Sequence, residues 1–343
     1  MPRAMAPEIP ANMQAVMLAA YGPPPFRLSV ESCGVPTPGR NEVLVRVAAS
    51  PVNPSDLLFL EGRYAYRKHL PAIPGLEGCG RVVATGPGLL ARRLAGKRVS
   101  FAPAASAGGT WAQYAVAAPT QCFVLPDRID DKQGASGLVN PLAAVGLVER
   151  VMALKSKAMI STAAASALGQ MLRRLARRRG IHVINVVRRS EQVALIEGQG
   201  ADHVVDTSEA NFSHRLKELV DHFGARVALD AVGGTLTDEL LAALPSGGRL
   251  VLYGYLSGQA GSLNPAHIIF GNKAIEGFYV PTWLASKSLP QLILLQRRVT
   301  HLLDSDLSTV ERTHVGLKDS AEAVALYQRS MTGGKVLILP NGE

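Results

Sequence analysis

Two adjacent arginines, Arg188 and Arg189, follow the largely apolar run Ile181-His182-Val183-Ile184-Asn185-Val186-Val187, which ends without a carboxylate. A guanidinium offers phosphate a planar fork of donors and keeps its charge throughout the physiological range. Upstream by about twenty residues, the interval of a dinucleotide-binding βαβ unit, lies a turn of mostly small side chains, Thr162-Ala163-Ala164-Ala165-Ser166-Ala167-Leu168-Gly169. In such a unit an Asp or Glu at the second strand end grips a ribose 2′-hydroxyl, whereas an Arg accommodates a 2′-phosphate. The arginine pair therefore points to NADPH and to reductive chemistry. The competing reading is an ordinary solvated loop.

The turn departs from Gly-x-Gly-x-x-Gly, with Ala163, Ser166 and Gly169 at the positions of close backbone approach. Ala and Ser meet that requirement nearly as well as Gly, provided no position needs a positive φ. The backbone N–H groups of Ser166, Ala167, Leu168 and Gly169 would then face the pyrophosphate at the positive end of a helix dipole.

The elements that must carry these residues fall into a simple rhythm. Residues 13 to about 128 hold short β-like runs, among them 14–18, 42–47, 80–84, 97–101 and 112–116, separated by Gly and Pro. That pattern predicts a compact, β-rich, barrel-like domain. From 129 to 270, strand candidates at 158–161, 182–187, 203–206, 227–232 and 249–253 alternate with helical stretches near 167–179, 190–199, 209–223 and 235–244. Alternation of this kind predicts a doubly wound parallel sheet. The expected domains are thus 1–128 with 271–343, and 129–270. A strand-like run at 274–280 comes next, and the closing run 335–339 is expected to return to the first domain.

Bulk properties narrow the classes. At 343 residues the chain suggests more than one core, and no run reaches the length of a membrane span. Residues 1–12 read as a tail without the apolar core of a signal peptide. The cysteines, Cys33, Cys79 and Cys122, are too few for a four-thiolate zinc site and read as free thiols of a cytoplasmic protein. The net charge is +9, and Arg173, Arg174, Arg177, Arg178 and Arg179 crowd one helix. Leu168, Met171, Leu172 and Leu175 form its apolar stripe, which predicts a solvated basic face rather than a nucleic-acid site. An anionic substrate such as an acyl-CoA would suit the basic surplus.

From about residue 13 to 340 the chain resembles the medium-chain dehydrogenase/reductases. The likeness rests on Val52-Asn53-Pro54-Ser55-Asp56, Pro74-Gly75-Leu76-Glu77-Gly78-Cys79-Gly80, the turn at 162–169, Gly200-Ala201-Asp202-His203-Val204, Asp230-Ala231-Val232-Gly233-Gly234 and Gly333-Gly334-Lys335-Val336-Leu337. Within them it is similar to the zinc-free quinone reductases and 2-enoyl-thioester reductases, the latter through Gly62-Arg63-Tyr64 and Val139-Asn140-Pro141-Leu142. The resemblance implies an α/β protein with a Rossmann domain and a β-rich GroES-like domain. It also implies no metal, because zinc-dependent members carry Cys and His where Asn53 and Leu76 stand, and because the four-cysteine lobe is missing between Gly86 and Trp111.

The implied reaction is hydride transfer from NADPH to the β-carbon of an α,β-unsaturated carbonyl, foremost a 2-enoyl thioester. Quinone reduction is the alternative, and a non-catalytic NADPH- or nucleic-acid-binding protein is a second. Tyr64 matches the tyrosine that protonates the α-carbon in mitochondrial-type enoyl reductases; it could instead pack or touch nicotinamide. Asn53 is expected to face the nicotinamide, and Asp56 could be a helix cap. Asn140 stands beside the cofactor or starts a helix. Tyr253 and Gly254 end the last strand before the ligand crevice, and Phe278 and Tyr279 line the nicotinamide side or simply pack. Lys335 reaches a phosphate or stays in water. The partners expected are a small electrophile and a second copy paired through the strand near 274–280, with neither nucleic acid nor membrane.

Overall fold

The computed structural model describes residues 8–104 and 107–342. Most of the expected tail, residues 1–7, lies outside the described residues. The chain divides into two compact units, residues 1–139 with 296–343, and residues 140–295.

In the second unit, short runs of β-branched and aliphatic residues make a six-stranded parallel sheet. Its order is His203–Asp206, His182–Val187, Ala158–Ser161, Val227–Asp230, Arg249–Leu252 and Ala274–Gly277. The order reverses on either side of Ala158–Ser161, the strand feeding the small-residue turn, and such a switch point is where doubly wound sheets bind ligands. Ile160, Ile184, Val186, Phe212, Leu216, Leu240 and Leu250 form one buried core beneath it, each contributing about 1.5–3 kcal/mol by leaving water. The helix Ala167–Arg178 buries Met171, Leu172 and Leu175 as its spacing predicts. Arg173 departs from that pattern: it is buried as well, with one guanidinium nitrogen on Gln199 Oε1 at 3.1 Å. Arg177, Arg178 and Arg179 are exposed.

The first unit is the expected β-rich domain. A seven-stranded sheet runs Glu311–Gly316, Lys335–Leu339, Val43–Pro51, Gly78–Thr85, Arg98–Phe101 and Cys122–Val124, with Tyr114–Ala117 also paired to Val43–Pro51. Asn12–Leu18 and Leu28–Gly34 form a separate antiparallel pair. Trp111, Phe59, Leu18 and Leu60 are fully buried in one core, and Val45, Val47, Val99 and Phe101 in another. The closing strand Lys335–Leu339 returns to this unit, wholly buried between its neighbours.

Two differences from the sequence reading have clear causes. The unit boundaries fall after Val139 and before Gln296 instead of near 128 and 271. Ala274–Gly277 pairs in parallel with Arg249–Leu252, and this keeps its segment with the nucleotide sheet. The strands Leu28–Gly34 and Glu311–Gly316 escape the sequence reading because each lies at a sheet margin and carries polar residues along a largely unburied strand. Among the described residues no helix is long and apolar enough to cross a membrane.

Candidate active site

Ser161 ends a buried strand, and the chain turns at once through residues 162–166 into the helix Ala167–Arg178. Ser166 caps that helix, its Oγ accepting the Gly169 N–H at 3.1 Å. Gly169 is obligatory here, since a Cβ would lie 2.6 Å from the Ala164 carbonyl oxygen. Ala163 breaks the condition set on the sequence: it is left-handed, with φ 49°, a conformation costing an L-residue about 1–2 kcal/mol. Two backbone bonds hold it there, Ser166 N–H to Ala163 O at 2.9 Å and Ala164 N–H to Val186 O at 3.2 Å. Strain of this kind gathers where backbone must be pre-shaped for a ligand.

The second of those bonds also ties the turn to the neighbouring strand end. Two residues beyond Val186 comes Arg188, whose N–H donates to Gln192 Oε1 at 3.1 Å, and Arg189 stands immediately before the helix Ser190–Glu197. Both arginines are exposed. The start of the helix Ala167–Arg178 and the two arginines thus share one end of the sheet. Asp230, which the sequence reading quoted without a role, organises the other side of the turn. Its buried carboxylate accepts from Thr162 Oγ1 at 3.0 Å, from the Val232 N–H at 2.8 Å and from Thr237 Oγ1 at 2.8 Å. An Asp closing a parallel strand just before paired glycines was the available signal.

Tyr253 follows on the next strand, its N–H bonded to Asp230 O at 2.9 Å. Its hydroxyl is buried and has no partner among the described residues. Burial, helped by the nearby Asp230 charge, pushes its pKa up, so the phenol stays a donor. A Cβ on Gly254 would lie 2.5 Å from Ala231 O, so only glycine fits this close approach. An orphaned donor, a glycine cradle, a helix N-terminus and paired arginines fit a phosphorylated dinucleotide.

The remaining candidates in this unit are placed differently. Phe278 packs on the helix Val139–Ala153: a Cβ on Gly146 would come within 2.5 Å of its ring, and Trp283 lies 5.8 Å away centroid to centroid. Tyr279 is 40% exposed and precedes the helix Val280–Ala285. Asn140 is half-buried in the first turn of Val139–Ala153, so the Asn-Pro pair does lie at a helix start.

In the first unit Asn53 and Lys335 lie in one buried polar cluster. Asn53 is buried, and both ends of its amide are committed: Nδ2 donates to Glu77 Oε1 at 2.8 Å, while Oδ1 accepts from Lys335 Nζ. Lys335 is only 3% exposed, so it does not stay in water as one reading expected. Asp56 completes the cluster, accepting from the Asn53 N–H at 2.8 Å and the Leu76 N–H at 3.0 Å. Glu77 Oε2 accepts the Val139 N–H at 2.8 Å. Burial raises Asp56 to about 7, with Glu77 adding to the rise. Burial likewise lifts Glu77 and lowers Lys335, each offset by the charge of the other. These bonds tie three distant segments of the unit together. Among the described residues no group of three His, Cys, Asp or Glu side chains could hold a metal ion.

Tyr64 lies in the loop leaving the helix Pro54–Leu60, its N–H on Leu58 O at 3.0 Å. Its half-buried ring meets Tyr66 edge-on at 5.2 Å.

A switch-point sheet with this turn, in a chain that also holds a β-rich unit, defines a dinucleotide-dependent oxidoreductase. Residues 39–127 match the alcohol dehydrogenase GroES-like domain, and residues 167–296 match the zinc-binding dehydrogenase domain. The mitochondrial enoyl-[acyl-carrier-protein] reductase of Xenopus tropicalis is 34% identical over 77% of this chain and 76% of its own length. The human enzyme of the same name is 27% identical over 96% of this chain and 89% of its own. A Mesorhizobium loti structure assigned as an NADPH:quinone reductase superposes with a TM-score of 0.91 at 33% identity, covering 97% of this chain and 100% of that one. A mycobacterial structure complexed with NADPH gives 0.83 at 27%, covering 96% and 100%. The chain belongs to the medium-chain dehydrogenase/reductase family.

Proposed function

We propose that this protein is an NADPH-dependent, zinc-free reductase of α,β-unsaturated carbonyl compounds, with 2-enoyl thioesters as its substrates. The observation that carries the cofactor is the bond from Ala164 N–H to Val186 O, which sets the anion-cradling turn beside Arg188 and Arg189. The N–H groups of Ala167 and Leu168 would hold the pyrophosphate, the arginines the 2′-phosphate, and Tyr253 a polar group further along. When bound, NADPH supplies a hydride for the substrate's β-carbon. Tyr64 then serves as the acid: a phenol, ordinarily uncharged near neutrality, gives its proton to the α-carbon. The names of the enoyl reductase relatives support the substrate class.

Quinone reduction is the second reading, favoured by structural neighbours assigned as NADPH:quinone reductases. It needs no dedicated carbon acid. NADPH oxidation assays with a 2-enoyl-CoA and with an ortho-quinone separate the two. Tyr64→Phe should lower enoyl turnover by about 100-fold or more and spare the quinone; equal loss on both substrates contradicts the Tyr64 role.

The proposal extends to a homodimer. Ala274–Gly277 is the margin of its sheet, and exposed apolar side chains lie near it in sequence: Ile269 is 68% exposed, Phe270 84% and Leu289 61%. Unpaired strand edges and apolar patches invite a second copy. Light scattering at micromolar concentration should give twice the chain mass, and Phe270→Glu should shift it toward the monomer. We place the protein in the cytoplasm, where Cys33, Cys79 and Cys122 would stay reduced; recovery in a membrane or periplasmic fraction would count against that.

A further inference from the structure

Tyr21 lies between the strands Asn12–Leu18 and Leu28–Gly34, far in sequence from every residue assigned above. Its hydroxyl donates to the Lys68 carbonyl oxygen at 2.9 Å and accepts the Lys68 backbone N–H at 2.7 Å. One phenol therefore takes up both backbone groups of a single loop residue. Its own ring is fixed from several directions. Phe59 meets it edge-on at 5.7 Å, and the Arg67 guanidinium lies 5.7 Å from its centroid. Gly62, with φ +72°, comes so close that a Cβ there would stand 3.0 Å from the Tyr21 Cβ.

The loop pinned in this way is the one that carries Tyr64. At its start, the Arg63 and Tyr64 N–H groups both donate to Leu58 O, at 2.8 and 3.0 Å. In its middle, Arg67 Nε donates to Gly62 O at 2.7 Å, and at its end Lys68 Nζ donates to Ala107 O. Tyr64 thus sits between an anchor on the helix Pro54–Leu60 and an anchor on Tyr21. Without the Tyr21 hydroxyl, the Lys68 backbone groups lose their partners in a half-buried setting, and the loop relaxes to recover hydrogen bonds elsewhere.

We propose that Tyr21 is a positioning residue for reduction of the polarised alkene, acting through the Lys68 backbone to hold the Tyr64 phenol in its donating geometry. This rests on the assignment of Tyr64 as the proton donor. A shift of an ångström in a reacting group costs about 100-fold in rate, so Tyr21→Phe should lower enoyl turnover by roughly 10- to 100-fold. The KM for NADPH and quinone reduction should be unchanged.

The test combines kinetics with amide hydrogen exchange on Tyr21→Phe, Tyr64→Phe and the double variant, using crotonyl-CoA and an ortho-quinone as substrates. Expected are faster exchange over residues 62–70 in Tyr21→Phe, a selective fall in enoyl kcat, and a double variant no slower than Tyr64→Phe alone. Unchanged exchange overturns the clamp. Loosened exchange with unchanged kcat, or losses that multiply in the double variant, overturns its coupling to Tyr64. Full activity in Tyr64→Phe overturns the donor assignment and the proposal with it, a failure the exchange data separate from that of the clamp.

Discussion

At the scale of single residues, the small-residue turn and its arginines were legible from the sequence because they are local. Arg188 follows its strand directly, and Ser166 bonds a residue three positions on. The bond between Lys335 and Asn53 was not legible for the opposite reason: it spans 282 residues of chain, and neither type in its local context announces a buried partner. Ala163 was legible in identity but not in conformation, since only the completed turn forces φ to 49°. Ala163→Gly should relieve about 1 kcal/mol of left-handed strain, partly offset by the greater freedom of glycine in the unfolded chain. The urea midpoint should therefore rise slightly, and a clear fall would contradict the strain. Replacing Arg188 and Arg189 by Ala should raise the KM for NADPH by about 10- to 100-fold, the value of one or two charge-assisted bonds, while the KM for NADH barely moves. Parallel losses with both cofactors would place the 2′-phosphate elsewhere.

At the scale of elements, the buried cluster fastens the closing strand Lys335–Leu339 to the start of the helix Pro54–Leu60 and to the segment containing Glu77. One ammonium faces two buried carboxyl groups, so the fold favours keeping a proton on Asp56. Asp56 holds that proton up to about pH 7 in the folded protein, against 3.8 for an ordinary aspartate. The sign follows directly. Between those values the folded state binds more protons than the unfolded state, so this contribution is complete below about pH 4 and is lost as pH rises through 7. Asp56→Asn should flatten the decline in urea midpoint between pH 5 and pH 8, and an unchanged slope would rule out Asp56 as its source. Lys335→Met leaves buried carboxylates uncompensated and should cost about 3–5 kcal/mol. Adding Glu77→Gln to Lys335→Met should restore part of that loss, because it removes the charge that the lysine offsets. The sequence showed where these elements lie, since each has its own periodicity. It did not show the cluster, which exists only once three distant segments pack.

At the scale of the whole molecule, the +9 net charge bears on which substrate the protein takes. Many of the arginines stand exposed, including Arg177, Arg178, Arg179, Arg188 and Arg189. A positive field of this kind raises the encounter rate of anionic ligands, and salt removes the effect once the Debye length shrinks to about 8 Å near 0.15 M. An acyl-CoA carries several phosphate charges, whereas a simple quinone carries none. With NADPH held saturating, kcat/KM for a 2-enoyl-CoA should fall several-fold between about 0.01 M and 0.15 M salt, while kcat/KM for the quinone stays level. The comparison is internal: both substrates use the same cofactor, protein concentration and buffer, so any salt effect on folding or assembly appears in both. A level profile for the thioester would mean that the basic surface plays no part in its capture, leaving that surface as a solubilising feature alone.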